Sequence, residues 1–78
     1  NSMIKSVLIS GVVSSIGDAE PCRFAVTDNS GRTVIAEWNG AAAFSVGDKI
    51  LIKGESRFRK IRSNSERYIS VSEITLIS

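Results

Sequence analysis

Residues 22–27 alternate strictly, with Cys22, Phe24 and Val26 on one side and Arg23, Ala25 and Thr27 on the other. A period of two marks a strand with one face buried. Upstream, Ile4 to Ile16 is rich in Val, Ile, Leu and Ser and poor in helix formers. That predicts one long strand, and Gly11 within it predicts a bend or bulge. Asp28-Asn29-Ser30-Gly31 predicts a tight hairpin, because Asp and Asn bond to nearby backbone and Gly31 accepts positive φ. Thr33 to Trp38 is then a third strand. Ala41 to Phe44 is the one stretch with helical character, a single turn at most, held only if Phe44 or an alanine packs on the end of the sheet. Lys49 to Lys53 predicts a fourth strand that ends at Gly54 or runs on through Phe58. The basic, Ser- and Asn-containing stretch up to Glu66 reads as a loop. A fifth strand extends from Arg67 into Ile77, and its apolar residues Ile69 and Val71 are out of phase with Ile74 and Leu76. The slip at Ser72-Glu73 predicts a bulge or a strand end.

Five short strands in 78 residues predict an all-β chain closed into a small barrel, since closure pairs the edges that would otherwise aggregate. One domain, residues 4–78, fits this length, and Asn1-Ser2-Met3 reads as an expression remnant ahead of it. A chain this small buries roughly 60% of its unfolded surface, which leaves little room for a deep catalytic cavity. The single cysteine, Cys22, rules out an internal disulfide framework, and the absence of histidine argues against zinc enzymes and His-dependent hydrolases. Asp18, Glu20, Asp28, Glu37 and Asp48 sit at turns and strand faces where structural roles account for them. No catalytic residue, metal or cofactor is therefore assigned, and the chain is expected not to be an enzyme. No apolar run approaches the roughly 18 residues of a membrane span, so no membrane partner is expected and the chain reads as intracellular.

The net charge of +2 says little about partners until its distribution is considered. Between residues 57 and 67, Arg57, Arg59, Lys60, Arg62 and Arg67 are opposed only by Glu66, five cations against one carboxylate, or +4. The remainder carries five cations and seven carboxylates, or −2. A positive field is thus concentrated on one segment, which also holds Phe58 and ends beside Tyr68.

The order of residues resembles the OB-fold, and within it the replication protein A and archaeal or eukaryotic single-stranded-DNA-binding group with its anticodon-binding relatives. The likeness rests on Val7-Leu8-Ile9-Ser10-Gly11-Val12-Val13, on the hairpin Phe24 to Gly31, on a third strand closing at Trp38, and on Val46-Gly47-Asp48-Lys49-Ile50-Leu51-Ile52-Lys53-Gly54. It spans nearly the whole chain and implies a five-stranded Greek-key barrel with at most one short helical turn between strands three and four. It implies, further, a single strand of nucleic acid lying across strands two and three, between the loops joining strands one and two and strands four and five. DNA is favoured over RNA, with a role in replication, recombination or repair and other subunits of such a complex as partners. The alternatives are a protein-interaction OB scaffold and a substrate-binding domain of a larger nucleic-acid enzyme.

The candidate contacts are Trp38, Phe58 and Tyr68 for stacking, with Arg23, Thr27, Lys53, Arg57, Arg59, Lys60, Arg62 and Arg67 for phosphates and base edges. Each stacked base is worth about 1–3 kcal/mol. If four of the five clustered cations each met a phosphate, the log–log salt slope would be about −3. Trp38 has two readings: the resemblance turns it outward as a platform, whereas alternation with Val34 and Ala36 turns it inward. Phe24 and Phe44 read as core or cap residues, and Cys22 as a small buried hydrophobe. Arg23 has a structural alternative as well, a cross-strand ion pair with Glu37.

Overall fold

In the computed structural model, which describes residues 5–77, five strands form one closed barrel in the order β1-β2-β3-β5-β4, with β4 pairing back onto β1. The expected remnant at 1–3 and the expected first strand residue Ile4 lie outside the described residues. The strands are β1 (Lys5–Ile16), β2 (Cys22–Thr27), β3 (Thr33–Trp38), β4 (Lys49–Ile61) and β5 (Asn64–Leu76). Every seam is antiparallel except β3 against β5, which is parallel and rests on two residue pairs, Ala36 with Ile69 and Glu37 with Ser70.

The core follows the alternation except at Ala25, which shares a side of β2 with Arg23 and Thr27 and is nonetheless buried. Val13, Phe24, Val26, Ala36, Ile50, Ile52 and Ile69 are buried inside the barrel together with Cys22. Two bulges let the strands curve. In β5, Lys53 pairs with Glu73 and Gly54 with Val71, so Ser72 is the extra residue where the apolar phase slips. In β1, Val13 pairs with Val26 and Ser15 with Ala25, so the extra residue is Ser14 rather than the expected Gly11. Each bulged serine turns its hydroxyl onto a carbonyl of the neighbouring strand: Ser14 Oγ donates to Ala25 O at 3.3 Å and Ser72 Oγ to Lys53 O at 3.0 Å. An acceptor beside a disrupted ladder is thereby satisfied from within the bulge. Gly11 serves a different purpose, a close approach: a Cβ there would stand 2.8 Å from both the carbonyl carbon of Thr27 and Cγ1 of Val26.

The Asp28–Gly31 hairpin forms as expected. Asp28 Oδ1 accepts from the Ser30 amide (2.9 Å), the Ser30 hydroxyl (2.6 Å) and the Arg32 amide (3.0 Å), while Gly31 takes φ of 86°. These bonds, the Ser30 hydroxyl foremost, hold the Asp28 carboxyl below its ordinary pKa. A carboxyl depressed in the folded state adds stability that is complete above its unfolded pKa and vanishes as pH falls through the lower folded value. The thermal midpoint is accordingly expected to be flat from pH 7 to about 5 and to drop below about pH 4, less steeply in Asp28→Asn. Equal slopes for the two proteins in a pH series of melts would remove Asp28 from that account.

Of the single helical turn allowed at most between strands three and four, none forms at Ala41–Phe44; the 39–45 segment is irregular. Four residues cannot sustain a helix alone, and stronger local bonds compete: Trp38 Nε1 donates to Ala41 O at 3.2 Å, and the Phe44 ring packs on Phe24 at 4.8 Å between centroids. The fourth strand takes the longer of its two expected courses, through Phe58, and the basic stretch beyond it up to Glu66 is not the expected loop. β4 continues to Ile61 and β5 begins at Asn64, giving a two-stranded arm in register from Arg57 opposite Tyr68 to Ile61 opposite Asn64. Arg62, in the two-residue turn at its tip, has φ of 58°, a left-handed conformation that costs a side-chain-bearing residue about 1 kcal/mol. Arg62→Gly is expected to raise stability by about 0.5 kcal/mol, the relief exceeding glycine's extra unfolded-state entropy. A urea midpoint no higher than that of the unaltered protein would contradict this.

Candidate binding surface

The arm has two faces, set by its pairing. Ser56 with Ile69, Phe58 with Arg67 and Lys60 with Ser65 continue the inner side of the barrel. Glu55 with Ser70, Arg57 with Tyr68 and Arg59 with Glu66 continue the outer side, the side on which Arg23 and Glu37 stand on β2 and β3.

On the outer side the charges find one another. Arg23 reaches Glu37 at 3.3 Å, the hairpin pair anticipated from the sequence, and also bonds Glu66. Arg59 bonds Glu37 and stands 3.7 Å from Glu66 through Nε. Two guanidinium groups and two carboxylates thus form a neutral ring that ties the arm to the β2–β3 hairpin. Glu37 is its least exposed member, at 14% of its side chain. The hydrogen bond from Arg23 holds the Glu66 carboxyl below its ordinary pKa, and the bond to Glu66 pushes the Arg23 guanidinium up. Likewise the bond to Glu37 raises Arg59. Arg57 is engaged separately, by Glu55 at 2.7 Å.

Where the arm leaves the barrel lies an open groove of about 620 Å³, lined by residues of both faces of the arm: Ser56, Phe58, Arg67 and Ile69 of the inner, Arg57 and Tyr68 of the outer. Its apolar wall includes Val7 and Ile9 of β1, Val34 and Ile35 of β3, and Ile69 of β5. Lys5, Arg32, Arg57 and Arg67 also line it, and among the described residues no carboxylate does. Both arm rings lie there, each with a guanidinium over one face: Arg67 is 5.1 Å from the Phe58 centroid and Arg59 is 4.1 Å from that of Tyr68.

The expected site residues therefore divide. Arg57, Phe58, Arg67 and Tyr68 converge on the groove, whereas Arg23 and Arg59 are held in the neutral ring. Lys60 and Arg62 are exposed at the tip of the arm. Thr27 is a cross-strand partner, its hydroxyl 2.9 Å from that of Thr33. Lys53 stands beside Leu8 and Glu73 on the β1–β4–β5 surface, separated along β4 from Arg57 by Glu55. Trp38 is half-buried at the opposite end of the barrel, packed against the core, where it helps line a small cavity of about 170 Å³ with Phe44, Ile74 and Leu76. Of its two readings, the inward alternation describes its position. Lys5 and Arg32 were not among the expected contacts. Neither has a carboxylate within ion-pair distance among the described residues, and only closure of the barrel sets them beside the arm.

No family model matches the chain, and no curated protein does. Among solved structures, it is similar to OBody NL8 bound to hen egg-white lysozyme, with a TM-score of 0.76 and 24% identity over 95% of this chain and 94% of that one. It is similar also to OBody AM3L09 bound to hen egg-white lysozyme, with a TM-score of 0.75 and 24% identity over 92% of this chain and 80% of that one. At this identity the likeness concerns the fold. It bears on the OB barrel and not on the narrower resemblance to the replication protein A group, so what the strand order, the register and the comparisons together establish is a small five-stranded OB barrel.

Proposed function

We propose that this OB barrel is a non-catalytic module that binds a protein partner. The observation that carries the reading is the neutral ring of Arg23, Glu37, Arg59 and Glu66. Phosphates crossing β2 and β3 would have to displace carboxylates already bonded to the arginines, which removes much of the counterion-release gain that drives single-strand binding. A surface of mixed, paired charge beside exposed apolar side chains such as Phe58 and Ile61 suits a protein interface better. The two OBody structures are OB barrels holding a protein, which is in keeping with this reading.

A second reading, a largely sequence-independent single-stranded nucleic-acid module with DNA favoured over RNA, keeps one observation in its favour. Phe58, Tyr68, Arg57 and Arg67 do share a groove with two further cations. Anisotropy titration with labelled oligo-dT at low salt separates the two. The protein-partner reading expects no saturable binding below about 100 μM. The Glu37→Gln, Glu66→Gln double variant, with both arginines released, is expected to gain measurable oligo-dT affinity, its two freed cations contributing about −1.4 to the salt slope. Tight, salt-dependent binding by the unaltered protein, left unchanged in the double variant, would return the function to nucleic acid.

A further inference from the structure

We infer that the groove between the start of β1, the start of β3 and the arm receives an extended acidic peptide segment of the partner, one that carries an apolar side chain; this rests on the protein-partner reading above. Charge complementarity is the first argument. Lys5, Arg32 and Arg67 border the groove without a carboxylate partner among the described residues, Arg57 is the only bordering cation held by one, and the lining contains no acidic residue. Such a rim attracts an anion and repels cationic chains.

The floor decides which anion. It is built from branched aliphatic side chains, Val7, Ile9, Val34 and Ile69, which offer a hollow for a leucine or phenylalanine but no flat surface for a base. The two rings present, Phe58 and Tyr68, already have a guanidinium across one face. Stacking by successive bases would contend with those contacts, whereas a peptide needs no ring to stack on. Glutamates or aspartates spaced along an extended chain can meet Lys5, Arg32 and Arg67 while an intervening apolar side chain enters the hollow. In a strand, alternate side chains point to opposite faces, so an acidic–apolar alternation has the geometry this lining requires.

The probe is a fluorescein-labelled dodecapeptide alternating Glu with Leu and Phe. A second peptide has Gln at every Glu position, and dT12 serves as the nucleic-acid arm. Saturable binding of the acidic peptide is expected with Kd on the order of 10–100 μM, and none by the Gln peptide. Chemical-shift changes are expected at Val7, Ile9, Val34 and Ile69. Arg32→Glu and Arg67→Glu should each weaken binding roughly fivefold, while Lys49→Glu, the same charge change on an exposed residue outside the groove, should alter it less than about twofold. Amide spectra confirm that each variant is folded, and the shift map of the unaltered protein locates the site without any variant. An equal loss with Lys49→Glu, or shifts confined elsewhere, overturns the groove assignment but leaves a protein partner in place. Silence from both the acidic peptide and dT12 does the same. Tighter binding of dT12 in the groove overturns both this inference and the reading it rests on.

Discussion

Alanine at position 54 is expected to cost the domain about 3–5 kcal/mol, a large part of the roughly 4–12 kcal/mol available to a chain of this length. Gly54 is buried in β4 where the register against β5 shifts around Ser72. A Cβ there would overlap the carbonyl oxygen of Ser70 and stand 2.9 Å from its carbon and 3.0 Å from the Cα of Val71. All three are backbone atoms of the strand that joins the arm to the barrel, so no rotamer change can give way. Relief requires β5 to move outward, and Ile69, which anchors β5 in the core and pairs with Ala36 at the parallel seam, would move with it. Urea unfolding of Gly54→Ala measures this directly. A loss under about 1 kcal/mol would mean that β5 shifts without disturbing the core.

Phe24→Ala should be about as damaging, also about 3–5 kcal/mol. Its side chain is 1% exposed and is the largest wholly buried one in the barrel. Its ring also meets Phe44 at 4.8 Å and 58°, which fixes the irregular 39–45 segment over the end of the barrel in place of a capping helix. Truncation therefore leaves a cavity and loosens the cover together. The sole tryptophan, Trp38, belongs to that cover through its bond to Ala41, so its fluorescence should shift to the red before the main unfolding transition. A variant that melts in a single transition, with unshifted native emission, would separate the cover from Phe24.

How much of this was legible in the chain depends on how local the determining contacts are. Apart from Ala25, whose small side chain is buried on the polar side, β2, β3 and their turn are legible position by position, because period-two burial and the Asp28 and Gly31 turn chemistry are written into adjacent positions. Ser72 was legible for the same reason, as a break in phase. Ser14 was not: a glycine needed for close approach and one that permits a bulge look alike in sequence, and Gly11 drew attention from the true site. The outer half of the arm was missed because neither of its faces is in the core. Arg59 to Ile61 and Asn64 to Glu66 are strands by virtue of pairing with each other, and a hydrophobic period has nothing to report there. The Arg23–Glu37 pair could be read from hairpin register, yet its joining to Arg59 and Glu66 depends on where the arm lies. The groove is less legible still, since Lys5 and Arg32 come together with Arg67 only when β1, β3 and β5 close the ring.

The parallel seam carries a further consequence for how the chain comes off the ribosome. β1, β2 and β3 can assemble as a meander as they emerge, and β4 can add to the free side of β1. Until Ile69 and Ser70 have been made, however, β3 and β4 remain open flanks with Ala36 and Ile52 uncovered by their final neighbour. Synthesis of this part of β5 thus completes the ring, and a nascent chain stalled before it would be the form most in need of a chaperone.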